Sequence, residues 1–149
     1  SEDETAAAIL SLMENQKLVA EGAGAVPVAA ALFHKLPIEG KKVVCVISGG
    51  NIDVNILSRV ITRGLVMSGR KANLTIALED KPGQLQRVAE IVSRCGSNVV
   101  SVLHDGSDPN MPISSCFLKL TLETRDAVQI EQIRAELTKE GFQLVSERV

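Results

Sequence analysis

The chain has 149 residues, enough for one ordinary domain or two small ones. It contains three Phe and no Trp or Tyr, so we expect a core of aliphatic side chains. The net charge of −2 and the scarcity of aromatic rings exclude the basic patches and base-stacking surfaces of nucleic-acid-binding proteins.

The sequence of residues 1–70 predicts three helices and one short strand. A capping box of Ser1 and Glu4 starts a helix that ends at about residue 15, and a second helix follows Gly24. The apolar, β-branched run 42–47 predicts a strand buried on both faces, as in a parallel sheet. Periodic apolar residues then predict a helix to about residue 67.

The turn between this strand and helix is Ser48-Gly49-Gly50-Asn51. Two glycines let a backbone approach a ligand closely, and a helix N-terminus offers unpaired N–H donors. Together with the upstream stretch 17–25, which contains Glu21, this segment resembles the C-terminal part of the threonine dehydratase catalytic domain. That family holds pyridoxal phosphate in the fold-type II architecture.

The resemblance implies a role for each residue of this segment. Ser48 matches the serine that hydrogen-bonds the pyridine nitrogen, and Glu21 matches an acidic residue close to the ring. Gly49 and Gly50 let the loop close over the ring, and Asn51 fixes the turn. These five residues are therefore the predicted cofactor-binding residues.

Two parts that the resemblance requires are missing from the sequence. The Schiff-base lysine of the family lies in a Ser-Phe-Lys motif, and a separate glycine-rich loop holds the cofactor phosphate; neither motif occurs here. We therefore expect pyridoxal phosphate in a full-length parent and none bound to this chain. We predict no catalytic residue, and no activity for the chain by itself.

Past a polar break at Ser68-Gly69-Arg70-Lys71 the pattern changes, and we predict domains at 1–70 and 71–149. Alternating apolar residues predict strands at 74–78, 99–103 and 116–122, and a last strand through Phe142 and Leu144 that reaches to Ser146. A helix is predicted that opens within Glu79–Leu85, with Pro82 near its first position, and ends at Gly96. A second helix is predicted from Asp126 to Gly141, and a turn-rich loop at 105–112. The order βαββαβ predicts a ferredoxin-like α+β domain with two helices on one face of an antiparallel sheet.

The first loop of this domain narrows the prediction. This loop is Asp80-Lys81-Pro82-Gly83-Gln84-Leu85, and the segment Gly96-Ser97-Asn98-Val99 follows it along the chain. The two segments, at this spacing, resemble the signature of the ACT domain, a regulatory module that senses amino acids and similar effectors. The predicted effector-binding residues form the whole loop: Asp80, Lys81, Pro82, Gly83, Gln84 and Leu85.

Each end of an amino acid has a candidate partner in this loop. Gly83 lets the backbone approach a ligand, the helix N-terminus attracts a carboxylate, and Asp80 accepts from an ammonium group. The structural alternative is that Asp80 merely caps the helix and Gly83 merely turns the chain.

The two resemblances together imply the C-terminal part of a threonine dehydratase (threonine ammonia-lyase), which converts threonine to 2-oxobutanoate and ammonia. The implied role of the ACT domain is allosteric regulation, as in isoleucine biosynthesis, and formation of a homodimer or tetramer. Leu103, Phe117 and Val145 lie out of phase with the predicted core and are candidates for the contact between copies.

A stand-alone effector-binding or dimerisation module, and a serine-specific dehydratase or racemase, stay open as alternatives. The effector also stays open among isoleucine, valine, a nucleotide or none.

Cys45, Cys95 and Cys116 lie singly in apolar or helical patterns, without Cys-x-x-Cys spacing. His34 and His104 lie far apart in the sequence. We therefore predict core-packing thiols and no metal site.

The acidic start of the chain is unlike a secretory signal, and the longest apolar stretch, 23–33, is too short to cross a bilayer. We expect a soluble, cytoplasmic protein without a membrane partner.

Overall fold

A computed structural model describes residues 1–107 and 112–145, and divides the chain into two units, Ser1–Ser68 and Gly69–Val149. The predicted loop at 105–112 therefore lies partly outside the described residues, as does Ser146 of the predicted last strand. No helix of the described part is long and apolar enough to cross a membrane.

The first unit is helical. Its elements are α1 (Glu2–Ser11), a π-helical turn at Leu12–Gln16, α2 (Gly22–Leu32) and α3 (Val54–Met67). Ser1 and Glu4 form the predicted capping box of α1. The second helix begins at Gly22, three residues before the start predicted after Gly24, so Pro27 lies inside it. Small side chains let the helices approach closely, and the core consists of Ala8, Ile9, Leu12, Ala20, Ala25 and Ala29.

The strand predicted at 42–47 is wrong. These residues are irregular, and the side chains of Val44 and Val46 are 89% and 72% exposed. A strand forms only when a neighbouring strand accepts and donates its backbone hydrogen bonds, and the described residues of the first unit contain no other strand. The apolar pattern is that of a buried strand, but its partners are absent from this unit.

We expect the segment 43–47 to exchange its amide hydrogens much faster than the strand at Leu74–Leu78. Irregular backbone opens at almost no cost, whereas a central strand opens only with global unfolding at about 5 kcal/mol or more, so protection should differ by roughly 10³-fold or more. Hydrogen exchange measured by mass spectrometry on the monomer tests this expectation. Comparable protection in the two segments would contradict it.

The second unit has the predicted order βαββαβ. Its elements are β1 (Lys71–Glu79), α4 (Gln84–Arg94), β2 (Asn98–Asp105), β3 (Ser115–Glu123), α5 (Ala127–Lys139) and β4 (Gln143–Val145). The sheet has the order β2-β3-β1-β4, and each neighbouring pair is antiparallel. This is the ferredoxin-like arrangement, so the predicted fold of this part of the chain is confirmed.

The helices and one face of the sheet enclose the core of this unit. Alternate residues of β1 and β3 point into it because side chains along a strand alternate between faces. The core comprises Leu74, Ile76, Val88, Ile91, Val92, Cys95, Leu118, Leu120, Leu122, Ile133, Leu137 and Phe142. The strand register places Leu103, Phe117 and Val145 on the other face, opposite Lys119, Asp105 and Thr75 respectively. No element among the described residues of this unit covers that face.

Candidate functional site

The structure brings the predicted cofactor loop of the first unit against the start of α2. The backbone N–H of Glu21 donates to the carbonyl oxygen of Gly49 at 3.2 Å. A Cβ on Gly24 would lie 2.1 Å from the carbonyl oxygen of Ser48, and one on Gly50 would lie 2.9 Å from that of Val19. Glycines are therefore required on both sides of this contact.

These residues suit one edge of a pyridoxal phosphate site. Ser48 to Asn51 are exposed, so the Ser48 hydroxyl is free to donate to a ring nitrogen. Gly49 has φ +80°, and a Cβ there would lie 2.5 Å from Oε1 of Glu21, so loop and carboxylate are close neighbours. The side chain that caps α3 is that of Asp53, which accepts from the backbone N–H groups of Asn55 and Ile56. The role of Asn51 in fixing the turn stays a prediction.

The predicted effector loop of the second unit connects β1 to α4. Gly83 precedes α4 in the left-handed conformation, with φ +90°, and no atom lies within 4 Å of a Cβ built on it. The space beside the Cα of Gly83 is therefore open to a ligand. The backbone N–H of Asp80 donates to the carbonyl oxygen of Ser114 at 2.8 Å, which ties the start of the loop to the segment before β3. The capping role given to Asp80 in the structural alternative does not occur, since Gly83 is the residue before α4 and no side chain caps it.

A cavity of about 320 Å³ lies beside this loop. Its polar lining includes Asp80, His104 and Gln84, and its apolar lining comes from Leu78, Leu85 and Leu118. The amide oxygen of Gln84 is buried without a hydrogen-bond partner among the described residues. Buried acceptors are normally satisfied, so this oxygen is an exception within the loop. The cavity thus combines a carboxylate, an imidazole and an apolar floor.

Two residues of this region were not predicted as site residues. Nε2 of His104 lies 3.3 Å from Oδ1 of Asp80 across the cavity. Cys116 is fully buried, and its burial, followed by the nearby Asp80 carboxylate, raises the pKa of its thiol. Next to His104, hydrogen bonds from Ser107 and Lys119 lower the pKa of Asp105 to about 2. Only the pairing of separate strands brings His104 and Cys116 to the loop, so no local sequence signal could have identified them.

No protein-family model matches the chain. An L-threonine ammonia-lyase of Thermotoga maritima is 49% identical over 144 residues, which are 97% of this chain and 36% of the relative. An L-threonine ammonia-lyase of Geobacter sulfurreducens is 41% identical over 141 residues, covering 95% of this chain and 35% of the relative.

A biosynthetic L-threonine dehydratase of Halalkalibacterium halodurans is 41% identical over 78 residues, which are 52% of this chain and 19% of that protein. The chain spans about a third of the length of the first two relatives, at 36% and 35%. The likeness to them covers both units, as the two resemblances of the sequence predicted. The chain therefore belongs to the threonine dehydratase (threonine ammonia-lyase) family, of which it represents the C-terminal part.

Proposed function

We propose that this chain is the regulatory portion of a pyridoxal-phosphate-dependent threonine dehydratase, and that its second unit binds an amino-acid effector. The observation that supports this proposal most strongly is the cavity beside the loop from Asp80 to Leu85. Its 320 Å³ is sufficient for a small ligand, and its lining matches the three chemical parts of a branched-chain amino acid.

Each part of the amino acid has a partner in the cavity. The N-terminus of α4 begins at Gln84 without a side-chain cap, so its free N–H groups and helix dipole attract the ligand carboxylate. The Asp80 carboxylate accepts from the ammonium group. The aliphatic side chain lies against Leu78 and Leu118.

Calorimetric titration of the chain with L-isoleucine and L-valine tests effector binding. We expect one of them to bind, and L-isoleucinamide, which lacks the carboxylate, to bind at least about tenfold more weakly. Asp80→Asn removes the negative charge facing the ammonium group, and the affinity should fall by about tenfold or more. Glu90→Gln, an exposed carboxylate on α4 outside this cavity, is the matched control and should bind as the parent does. Binding of neither amino acid would overturn the proposal.

We further propose that copies of the chain associate through the open face of the sheet. Leu103 is 57% exposed there, and Phe117 and Val145 are half-buried on the same face. Apolar side chains exposed on a sheet face favour association, because a second copy removes them from water. A symmetric pair would bury the same face of both copies.

Sedimentation of the chain at micromolar concentration is expected to show a dimer or larger assembly. Leu103→Glu puts a charge into the proposed contact, so the association constant should fall by at least about tenfold. Val128→Glu changes a 77% exposed valine on α5, away from this face, and should leave association unchanged. A parent that sediments only as a monomer would contradict the proposal, as would equal effects of the two variants.

The first unit is proposed to supply one wall of the cofactor site in the whole enzyme. Pyridoxal phosphate, when bound, supplies the electron sink for loss of the substrate hydroxyl. The neutral Ser48 hydroxyl would donate a hydrogen bond to the ring nitrogen, and Gly24, Gly49 and Gly50 keep the loop close to α2. The lysine and phosphate-binding loop implied by the family resemblance are not in this sequence, so conversion of threonine requires other parts of the enzyme.

A further inference from the structure

Three side chains with metal-binding atoms converge at one end of the sheet in the second unit. Asp80, His104 and Cys116 each place one potential ligand atom within 4.8 Å of the other two. Within residues 1–107 and 112–145 this is the one grouping of three or more such side chains. The cluster touches the proposed effector cavity through Asp80 and His104.

The strand register explains why these residues meet. Cys116 pairs with Leu78 of β1, and Asp80 follows Leu78 by two residues, so it returns to the same side of the sheet. His104 of β2 pairs with Leu118, which follows Cys116 by two residues on β3. All three side chains therefore project from the face that carries the helices, with β3 between the other two strands.

We propose that Asp80, His104 and Cys116 bind Zn²⁺, leaving a fourth coordination position open. Thiolate, imidazole and carboxylate are the three ligand types that zinc prefers. At metal–ligand distances of about 2.0–2.1 Å, a nitrogen and an oxygen on a tetrahedral zinc lie about 3.3–3.4 Å apart. The separation of 3.3 Å between Nε2 of His104 and Oδ1 of Asp80 matches that edge.

The charges and burial of the cluster also suit a divalent cation. One thiolate and one carboxylate together neutralise Zn²⁺, and the imidazole binds as a neutral ligand. Binding breaks the S–H bond of Cys116, forms a Zn–S bond and releases the proton to solvent. Cys116 is fully buried, while Asp80 and His104 are each 52% exposed, so the metal would enter from the solvent side and reach the sulfur last.

This inference goes beyond the proposed regulatory function. The two proposals share Asp80, so a bound metal and the ammonium group of an effector would compete for the same carboxylate. A metal titration contains no amino acid, so its result tests the metal site without depending on the effector proposal. Cobalt is the probe, since tetrahedral Co²⁺ bound to a thiolate has visible bands and a near-ultraviolet sulfur charge-transfer band, and zinc generally binds more tightly than cobalt. We expect the reduced chain to bind one Co²⁺ with these bands, and Zn²⁺ to bleach them.

Cys116→Ser should abolish the charge-transfer band, whereas Cys95→Ser, the matched change at a buried cysteine outside the cluster, should retain it. His104→Ala alters an exposed side chain without threatening the core, and it should weaken Co²⁺ binding by at least about tenfold while keeping the sulfur band. Absence of the band in the parent would overturn the proposal. So would its persistence in Cys116→Ser, equal loss in Cys95→Ser, or unchanged affinity in His104→Ala.

Discussion

Gln129→Ala is expected to lower the free energy of unfolding of the second unit by about 3 kcal/mol. The side chain of Gln129 is 1% exposed. Its Nε2 donates to the carbonyl oxygen of Cys95 at 2.7 Å, and its Oε1 accepts from the backbone N–H of Arg125 at 2.7 Å. It therefore links the end of α4 to the start of α5.

Alanine would leave both backbone groups without their partner and a cavity in place of the amide. An unsatisfied buried group costs about 1–3 kcal/mol, and the cavity adds to this cost. Urea denaturation followed by circular dichroism measures the effect, and Gln86→Ala is the control. Gln86 is exposed on α4 and donates to Glu90, so its loss should change stability by less than about 0.5 kcal/mol. Equal stabilities of the two variants would contradict this assignment.

Gly83→Val is expected to lower effector affinity by at least about tenfold while the second unit stays folded. The φ of +90° at Gly83 is strained for a β-branched residue by about 1–2 kcal/mol, so the backbone before α4 must shift. The added methyl groups also enter the open space beside the loop, where nothing lies within 4 Å of the Cβ position.

Gly141→Val is the control that distinguishes the effect of backbone strain from the effect of lost ligand contact in Gly83→Val. Gly141 has φ +87° and equally open space around its Cβ position, but it lies outside the proposed effector cavity. The two variants should lose similar stability in thermal unfolding, and only Gly83→Val should lose affinity in calorimetry. If Gly83→Val binds the effector as the parent does, or if both variants lose affinity equally, the loop is not the binding site.

The second unit was predictable from sequence because its signals are local. Alternating apolar residues gave the strands, and Asp126 caps α5 through the backbone N–H of Gln129, as its position predicted. The strand at 42–47 was predicted wrongly because an apolar sequence is only one of the two conditions for a buried strand. A strand also needs a pairing neighbour, and pairing is not encoded in the segment itself.

For the effector loop, Gly83 and Asp80 were singled out because their loop resembles the ACT domain signature, and their role in binding stays a prediction. His104 and Cys116 were missed because they lie on different strands and meet Asp80 only through the register. Asp53 was not considered at the sequence level, although it directly precedes the first turn of α3 and accepts its free N–H groups.

Amino-acid binding by the loop between β1 and α4 is the main proposal for the second unit. A ¹H–¹⁵N NMR titration of the chain with L-isoleucine and L-valine tests it most directly, because it locates binding residue by residue. We expect saturable shifts at Asp80, Lys81, Gly83, Gln84, Leu85 and His104, and no change in the first unit. The absence of saturable shifts, or shifts confined to residues outside this cavity, would contradict it.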